Sequence, residues 1–286
     1  MTARTRQQIR TARRVVVKVG SSSISGENAG KIQPIVEALT VAHARGTEVV
    51  LVSSGAIATG MPFLDLDARP SDLATQQAAA AVGQNVLIYR YQDALRPFGI
   101  VAGQVLLTAG DLENPTHRSN ARRAMERLLG LRILPIVNEN DTVATHEIRF
   151  GDNDRLAALV AELIGADALV LLSDIECLYT RPPGEPGARP IDRVRYGDDL
   201  HGFEFGSVVV NSVGTGGAAT KVSAARVAAA SGVGVLVTSA DLVDRALDGD
   251  EIGTWFDPNP EASASPTTGP IRAAAGSPLP ADTLGR

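Results

Sequence analysis

Cysteine is almost missing from this chain: Cys177 is the only one in 286 residues. An internal disulfide framework and a cysteine-based zinc site are thereby excluded. The four histidines, His43, His117, His146 and His201, are scattered without metal-ligand spacing. No apolar run approaches the roughly 18–20 residues needed to cross a bilayer. The run that follows the basic segment Arg4–Arg14 is only Val15–Val19, too short for a secretory leader and of a length suited to a buried strand. Net positive charge is also lacking, the formal charge being −5 and the isoelectric point about 5.4. That balance disfavours roles resting on nonspecific attraction to nucleic acid or anionic membrane. The chain reads as cytoplasmic, with no nucleic acid and no membrane among its partners.

Lysine is scarce too. Of 27 basic residues only Lys18, Lys31 and Lys221 are lysines. Where arginine is the default cation, a retained lysine marks a place for a compact point charge. Two of the three adjoin small-residue segments, Lys18 before Gly20-Ser21-Ser22-Ser23 and Lys221 after Gly214-Thr215-Gly216-Gly217.

What is abundant is apolar material, 44% against 21% charged, ordinary for a soluble globular protein. Short β-branched runs predict strands at Val15–Val19, Val49–Val52, Ile100–Leu107, Ile133–Val137, Ala168–Leu172 and Val233–Val237. Between them, 3.6-residue spacing predicts helices over Lys31–Arg45, from Ser71 or Asp72 onward, over Ser119–Leu129, from Asp152 to Leu163 and over Ala218–Ala230. Val143–Phe150 reads as a small hairpin or excursion, and Arg181–Pro190 as an exposed loop. Residues 1–12 form a basic arm and 13–256 one domain; 257–286, rich in Pro, Ala and Ser, is expected to be a disordered tail.

Almost continuously apolar strands alternating with helices imply an α/β fold, a three-layer α/β/α sandwich around a largely parallel sheet. Ligands in such sheets collect beyond the carboxyl ends of the strands. Those ends read GSSS, SSGA, NEND and SD, all small or polar. The two glycine-rich loops can cradle an anion with backbone N–H groups, or be ordinary turns. Gly214–Lys221 matches neither the P-loop pattern nor GxGxxG, which leaves a nicotinamide-binding oxidoreductase without its fingerprint. Asp152, Asn153 and Asp154 cap a helix, yet three in a row exceed what capping needs.

In family order, the stretches VVVKVGSS (Val15–Ser22), VLVSSGAIATG (Val50–Gly60), AAVGQ (Ala80–Gln84), GQVLLT (Gly103–Thr108), PIVNENDTVAT (Pro135–Thr145), FGDNDRLAALVA (Phe150–Ala161), GADALVLLSD (Gly165–Asp174) and GTGGAATK (Gly214–Lys221) resemble the amino acid kinase family. The paired NEND and GDND segments match its glutamate-phosphorylating branch. The resemblance covers about residues 13–256. It implies ATP with Mg2+, transfer of the γ-phosphoryl group to the γ-carboxylate of L-glutamate, and γ-glutamyl 5-phosphate as product at the start of proline biosynthesis. It also implies a homo-oligomer, dimer or tetramer, with L-proline as a feedback inhibitor.

Position by position, the resemblance assigns ATP contacts to Lys18, Ser173, Asp174, Thr215, Gly216, Gly217, Ala218, Ala219, Thr220 and Lys221. Substrate contacts fall to Ser54, Asp141 and Asn153, with Asp152 nearby. From these roles Lys18 and Lys221 neutralise the phosphoryl oxygens, Asp154 orients the two ammonium groups, and Asp141 receives the substrate's α-ammonium. No protein metal ligands are expected, Mg2+ travelling with ATP. The pattern departs from the family at Cys177, where a glycine is usual, and strain is expected there if that turn needs a positive φ. The chain also stops short of the C-terminal PUA domain of many bacterial members. Rival readings are a sister kinase acting on acetylglutamate or aspartate, and a catalytically weak, kinase-like amino acid sensor.

Overall fold

A computed structural model of the chain describes residues 2–144, 153–200 and 217–262. The expected excursion at Val143–Phe150 lies mostly outside these residues, as does the segment after Ala262.

The apolar runs become strands β1 (Arg14–Lys18), β2 (Glu48–Val52), β3 (Ala102–Leu107), β4 (Leu134–Glu139) and β5 (Ala168–Ser173). They are followed by β6 (Arg193–Val194), β7 (Gly234–Ser239) and β8 (Thr254–Phe256). The helices are α1 (Ile32–Ala44), α2 (Ala56–Gly60), α3 (Leu73–Leu95), α4 (Ala109–Glu113), α5 (Pro115–Gly130), α6 (Asn153–Leu163), α7 (Ala218–Ala230) and α8 (Val243–Asp248). All eight strands join one sheet in the order β3-β4-β2-β1-β5-β7-β8-β6. Every pairing is parallel except β7 with β8.

Consecutive residues of β1 face opposite sides of the sheet, which explains why both are apolar. Val15, Val17 and Val19 pack with Leu39 of α1, Tyr91 of α3 and Leu247 of α8. Val16 packs on the other face with Met125 of α5, Leu156 of α6 and Ala225 of α7. The expected three-layer sandwich is therefore present. The chain builds one side of the sheet through β2, β4 and β3, then returns to β5 and β7 on the other side of β1. That reversal is the switch point at which open α/β sheets leave a crevice.

Several details differ from the sequence reading. Asn138 and Glu139 continue β4 instead of opening a loop, pairing with Leu106 and Leu107 of β3, and both are buried. The short strands β6 and β8 were not anticipated. The basic segment before residue 13 coils into a 3-10 helix, Arg6–Thr11. Ile9 from it joins the core, and the buried Arg6 guanidinium donates to the carbonyls of Asp192 and Ile252. Residues 257–262, at the start of the expected tail, are held by backbone bonds from Asp257 to Val194 and from Asn259 to Ala229. Cys177 does not occupy the left-handed region, so the strain expected from the missing glycine is absent.

One helix crossing positions the site. A methyl group on Gly83 of α3 would run into the carbonyl of Ala56, and one on Gly60 of α2 into that of Ala79. Only hydrogen at both positions permits this approach, which clamps the start of α2, and the Ser53-Ser54-Gly55 turn before it, to α3.

Candidate active site

Lys18 is the last residue of β1, Asp154 lies in the first turn of α6, and Lys221 lies in the first turn of α7. Lys18 Nζ stands 2.5 Å from Asp154 Oδ1, and Lys221 Nζ donates to Asp154 Oδ2 at 3.0 Å. All three are buried, Asp154 completely, with Lys18 at 3% and Lys221 at 7% exposure. Burial alone would push the Asp154 carboxyl up, but the two ammonium groups override it and hold it down, at about 2. The carboxylate is thus fixed as an anion between the two lysines. The Thr220 hydroxyl lies 3.3 Å from Asp154 Oδ2 and accepts from the Gly217 N–H at 3.1 Å. Lys18 Nζ also comes close to Gly20. The small-residue turn after β1, the first turn of α6 and the first turn of α7 therefore meet at one point, with both helix N-termini bringing partial positive charge there.

Beside this cluster Asn153 draws two strand ends together. Its Nδ2 lies 3.1 Å from the Ser53 carbonyl, 3.0 Å from Ser54 Oγ and 3.0 Å from Asn138 Oδ1. Ser53 is buried and its hydroxyl sits 3.0 Å from the phenol of Tyr91. Burial pushes that phenol's pKa up, against a smaller lowering by the Ser53 bond. Gly55, at φ 90°, opens α2 and brings its backbone against Ser21 of the turn after β1.

Asp141 is half-buried in the turn after β4. On the other side of β1, Ser173 ends β5 beside Ser239 of β7, its hydroxyl donating to the exposed Asp174 at 3.1 Å. The loop after Asp174 is tied down by the buried hydroxyls of Thr238, which donates to the Glu176 carbonyl, and Thr254, which accepts from the Leu178 N–H. Ala218, Ala219 and Thr220 begin α7, while Asp152, Thr215 and Gly216 lie outside the described residues. Sequence reasoning overlooked Asn138. The NEND run held the signal, but the strand-to-loop boundary was drawn two residues too early.

Among the described residues no group of three His, Cys, Asp or Glu could hold a metal ion, and no helix is long and apolar enough to cross a membrane. Two buried ammonium groups thus stand next to a cluster of hydroxyls and amides, an arrangement chemically suited to an anion.

Comparison with known proteins agrees with this geometry. A glutamate 5-kinase of Clavibacter sepedonicus is 72% identical over 253 residues, covering 88% of this chain and 97% of that protein. One from Leifsonia xyli subsp. xyli is 71% identical, over 92% of this chain and 97% of its own length. In fold, a carbamate kinase from Giardia lamblia bound to AMP-PNP superposes with a TM-score of 0.64 at 16% identity, covering 87% of this chain and all of that one. A UMP kinase from Bacillus anthracis gives 0.57 at 14% identity, over 86% and 96% of the two chains. The model of the amino acid kinase family matches residues 13–239. The chain belongs to the amino acid kinase family.

Proposed function

We propose that this chain transfers the γ-phosphoryl group of MgATP to the γ-carboxylate of L-glutamate, giving γ-glutamyl 5-phosphate for proline biosynthesis. The observation that carries the reading is the pair of buried lysines on the two oxygens of Asp154, beside the Asn153–Ser54–Asn138 cluster. The glutamate 5-kinase relatives supply the acceptor.

A carboxylate is already a nucleophile at neutral pH, so no general base is needed. The obstacle is the approach of one anion to another. Lys18 and Lys221 meet the phosphoryl oxygens from two sides, as electrostatic stabilisers of the transferring group. Asp154 is too acidic to exchange a proton at neutral pH and serves to aim the ammonium groups. Mg2+, carried by the nucleotide and not by residues of the chain, would offset part of the phosphate charge. Ser173, Asp174 and the Thr215–Lys221 segment hold the nucleotide. Ser54 and Asn153, with Asp152 nearby, hold glutamate, and Asp141 receives its α-ammonium. L-Proline is proposed as an inhibitor at the acceptor site, a homodimer or tetramer as the working form, the cytoplasm as the compartment and residues 13–256 as the catalytic unit.

Hydroxylamine trapping of acyl phosphate with MgATP and a panel of acids tests this. Hydroxamate from glutamate and none from acetylglutamate is expected. Product from acetylglutamate alone would assign the chain to a sister kinase, and none from any acid would make it a sensor.

A further inference from the structure

The AAVGQ segment of α3 has no part in the site described above, yet its last residue reaches it. Gln84 Oε1 accepts a hydrogen bond from Asn138 Nδ2 at 3.1 Å. Asn138 Oδ1 accepts from the Glu139 N–H at 2.9 Å and from Asn153 Nδ2 at 3.0 Å. Backbone groups settle which way each amide points. An N–H can only donate, so the Glu139 amide makes the facing Asn138 atom an oxygen, and Asn138 must present its NH2 to Gln84. A carbonyl can only accept, so the Ser53 oxygen, 3.1 Å from Asn153, makes the facing Asn153 atom its NH2 group. The far side of the Asn153 amide is therefore its oxygen. Asn153 Oδ1 is buried and has no partner among the described residues.

We infer that Gln84 is a positioning residue for the acceptor site: it locks Asn138, Asn138 locks Asn153, and the relay keeps Asn153 Oδ1 unpaired for a donor on the substrate. The α-ammonium is the strongest donor that a free amino acid brings. The inference rests on the proposed function and deepens it. Gln84 has no reason of its own to be a glutamine, since its Nε2 is buried and lacks a partner among the described residues; the side chain borders a small cavity lined also by Ser53, Tyr91 and Gln104. Its acceptor oxygen is what the relay uses. The hydrogen-only crossing at Gly83, one residue earlier, holds α3 close enough for Oε1 to reach.

The test is steady-state kinetics of acyl phosphate formation by the full chain, varying glutamate and ATP separately. Gln84→Met keeps the length but removes the acceptor, and its KM for glutamate is expected to rise about tenfold, as for loss of one well-placed hydrogen bond. Its KM for ATP should not change. Gln84→Glu keeps an acceptor toward Asn138 and puts a carboxyl, kept protonated by burial, in place of the unpaired NH2, so its glutamate KM should stay within about threefold of wild type. If Gln84→Met does not fold, Gln84→Asn, one methylene too short to reach Asn138, replaces it with the same expectation. An unchanged glutamate KM in the acceptor-less variant, or a parallel rise in both KM values, overturns the inference while leaving the functional reading intact. A wild-type chain that makes no glutamyl phosphate overturns both.

Discussion

Lys18 Nζ lies 2.5 Å from Asp154 Oδ1, inside the protein and at the end of the strand where the sheet reverses its order. Lys221 occupies the other oxygen of the same carboxylate, so the two ammonium groups meet at one anion.

The carboxylate leaves a signature in acid stability. Its folded pKa, about 2, is below the ordinary 3.8, so its stabilisation is fully present above pH 4 and is lost as pH falls toward 2. Melting temperature measured from pH 5 to pH 2 should fall more steeply for wild type than for Asp154→Asn. At pH 7 the Asn variant should start lower, by about 3–5 kcal/mol, because two buried ammonium groups lose their counter-ion. Parallel pH profiles would contradict the assignment.

Shape matters at Lys18 as well as charge. Its side chain is 4% exposed and its ammonium sits close to Gly20 and Asp154. Lys18→Arg keeps the charge but forces a broader group into a filled site, at a cost of about 1–3 kcal/mol. Turnover should fall despite the conserved charge, and turnover equal to wild type would show that a point charge is not required.

Gly83→Ala should act at a distance. The added methyl group meets the Ala56 carbonyl, so α2 and α3 must separate and the Ser53–Gly55 turn moves with them. Chemical denaturation should show a loss of about 1–3 kcal/mol, accompanied by a higher KM for glutamate. Wild-type stability would mean that the crossing has slack.

Cys177 should prove indifferent. It is outside the left-handed region, and burial raises its thiol pKa, so it is neither strained nor activated. Cys177→Gly should leave the KM for ATP within about twofold, and iodoacetamide should react slowly without abolishing activity. An ATP KM that improves severalfold in the glycine variant would restore the idea of a strained turn.

Much of the frame was legible because its physics is local. The valine run of β1 needs two covered faces, and Asp72 caps α3 by accepting from the Thr75 N–H, as its place before a helical pattern predicts. The four polar strand ends located the crevice. Other features depend on contacts distant in the chain. Ile9 is masked by surrounding arginines, although the core takes it in, and β6 and β8 are too short to leave a pattern of their own. Asn138 looks like a loop residue until Asn153 and Gln84 supply partners that let a polar side chain stay in a buried strand. The separate lysine-bearing loops do not themselves show that they share one carboxylate; the resemblance assigned both to Asp154, and the fold brings the three side chains together.

That shared carboxylate is tested most directly by the turnover of Lys221→Ala with saturating glutamate and MgATP. The account predicts that kcat falls by about 10²–10³, as for other single transition-state electrostatic contacts, while the protein remains folded. Turnover close to that of wild type would contradict it.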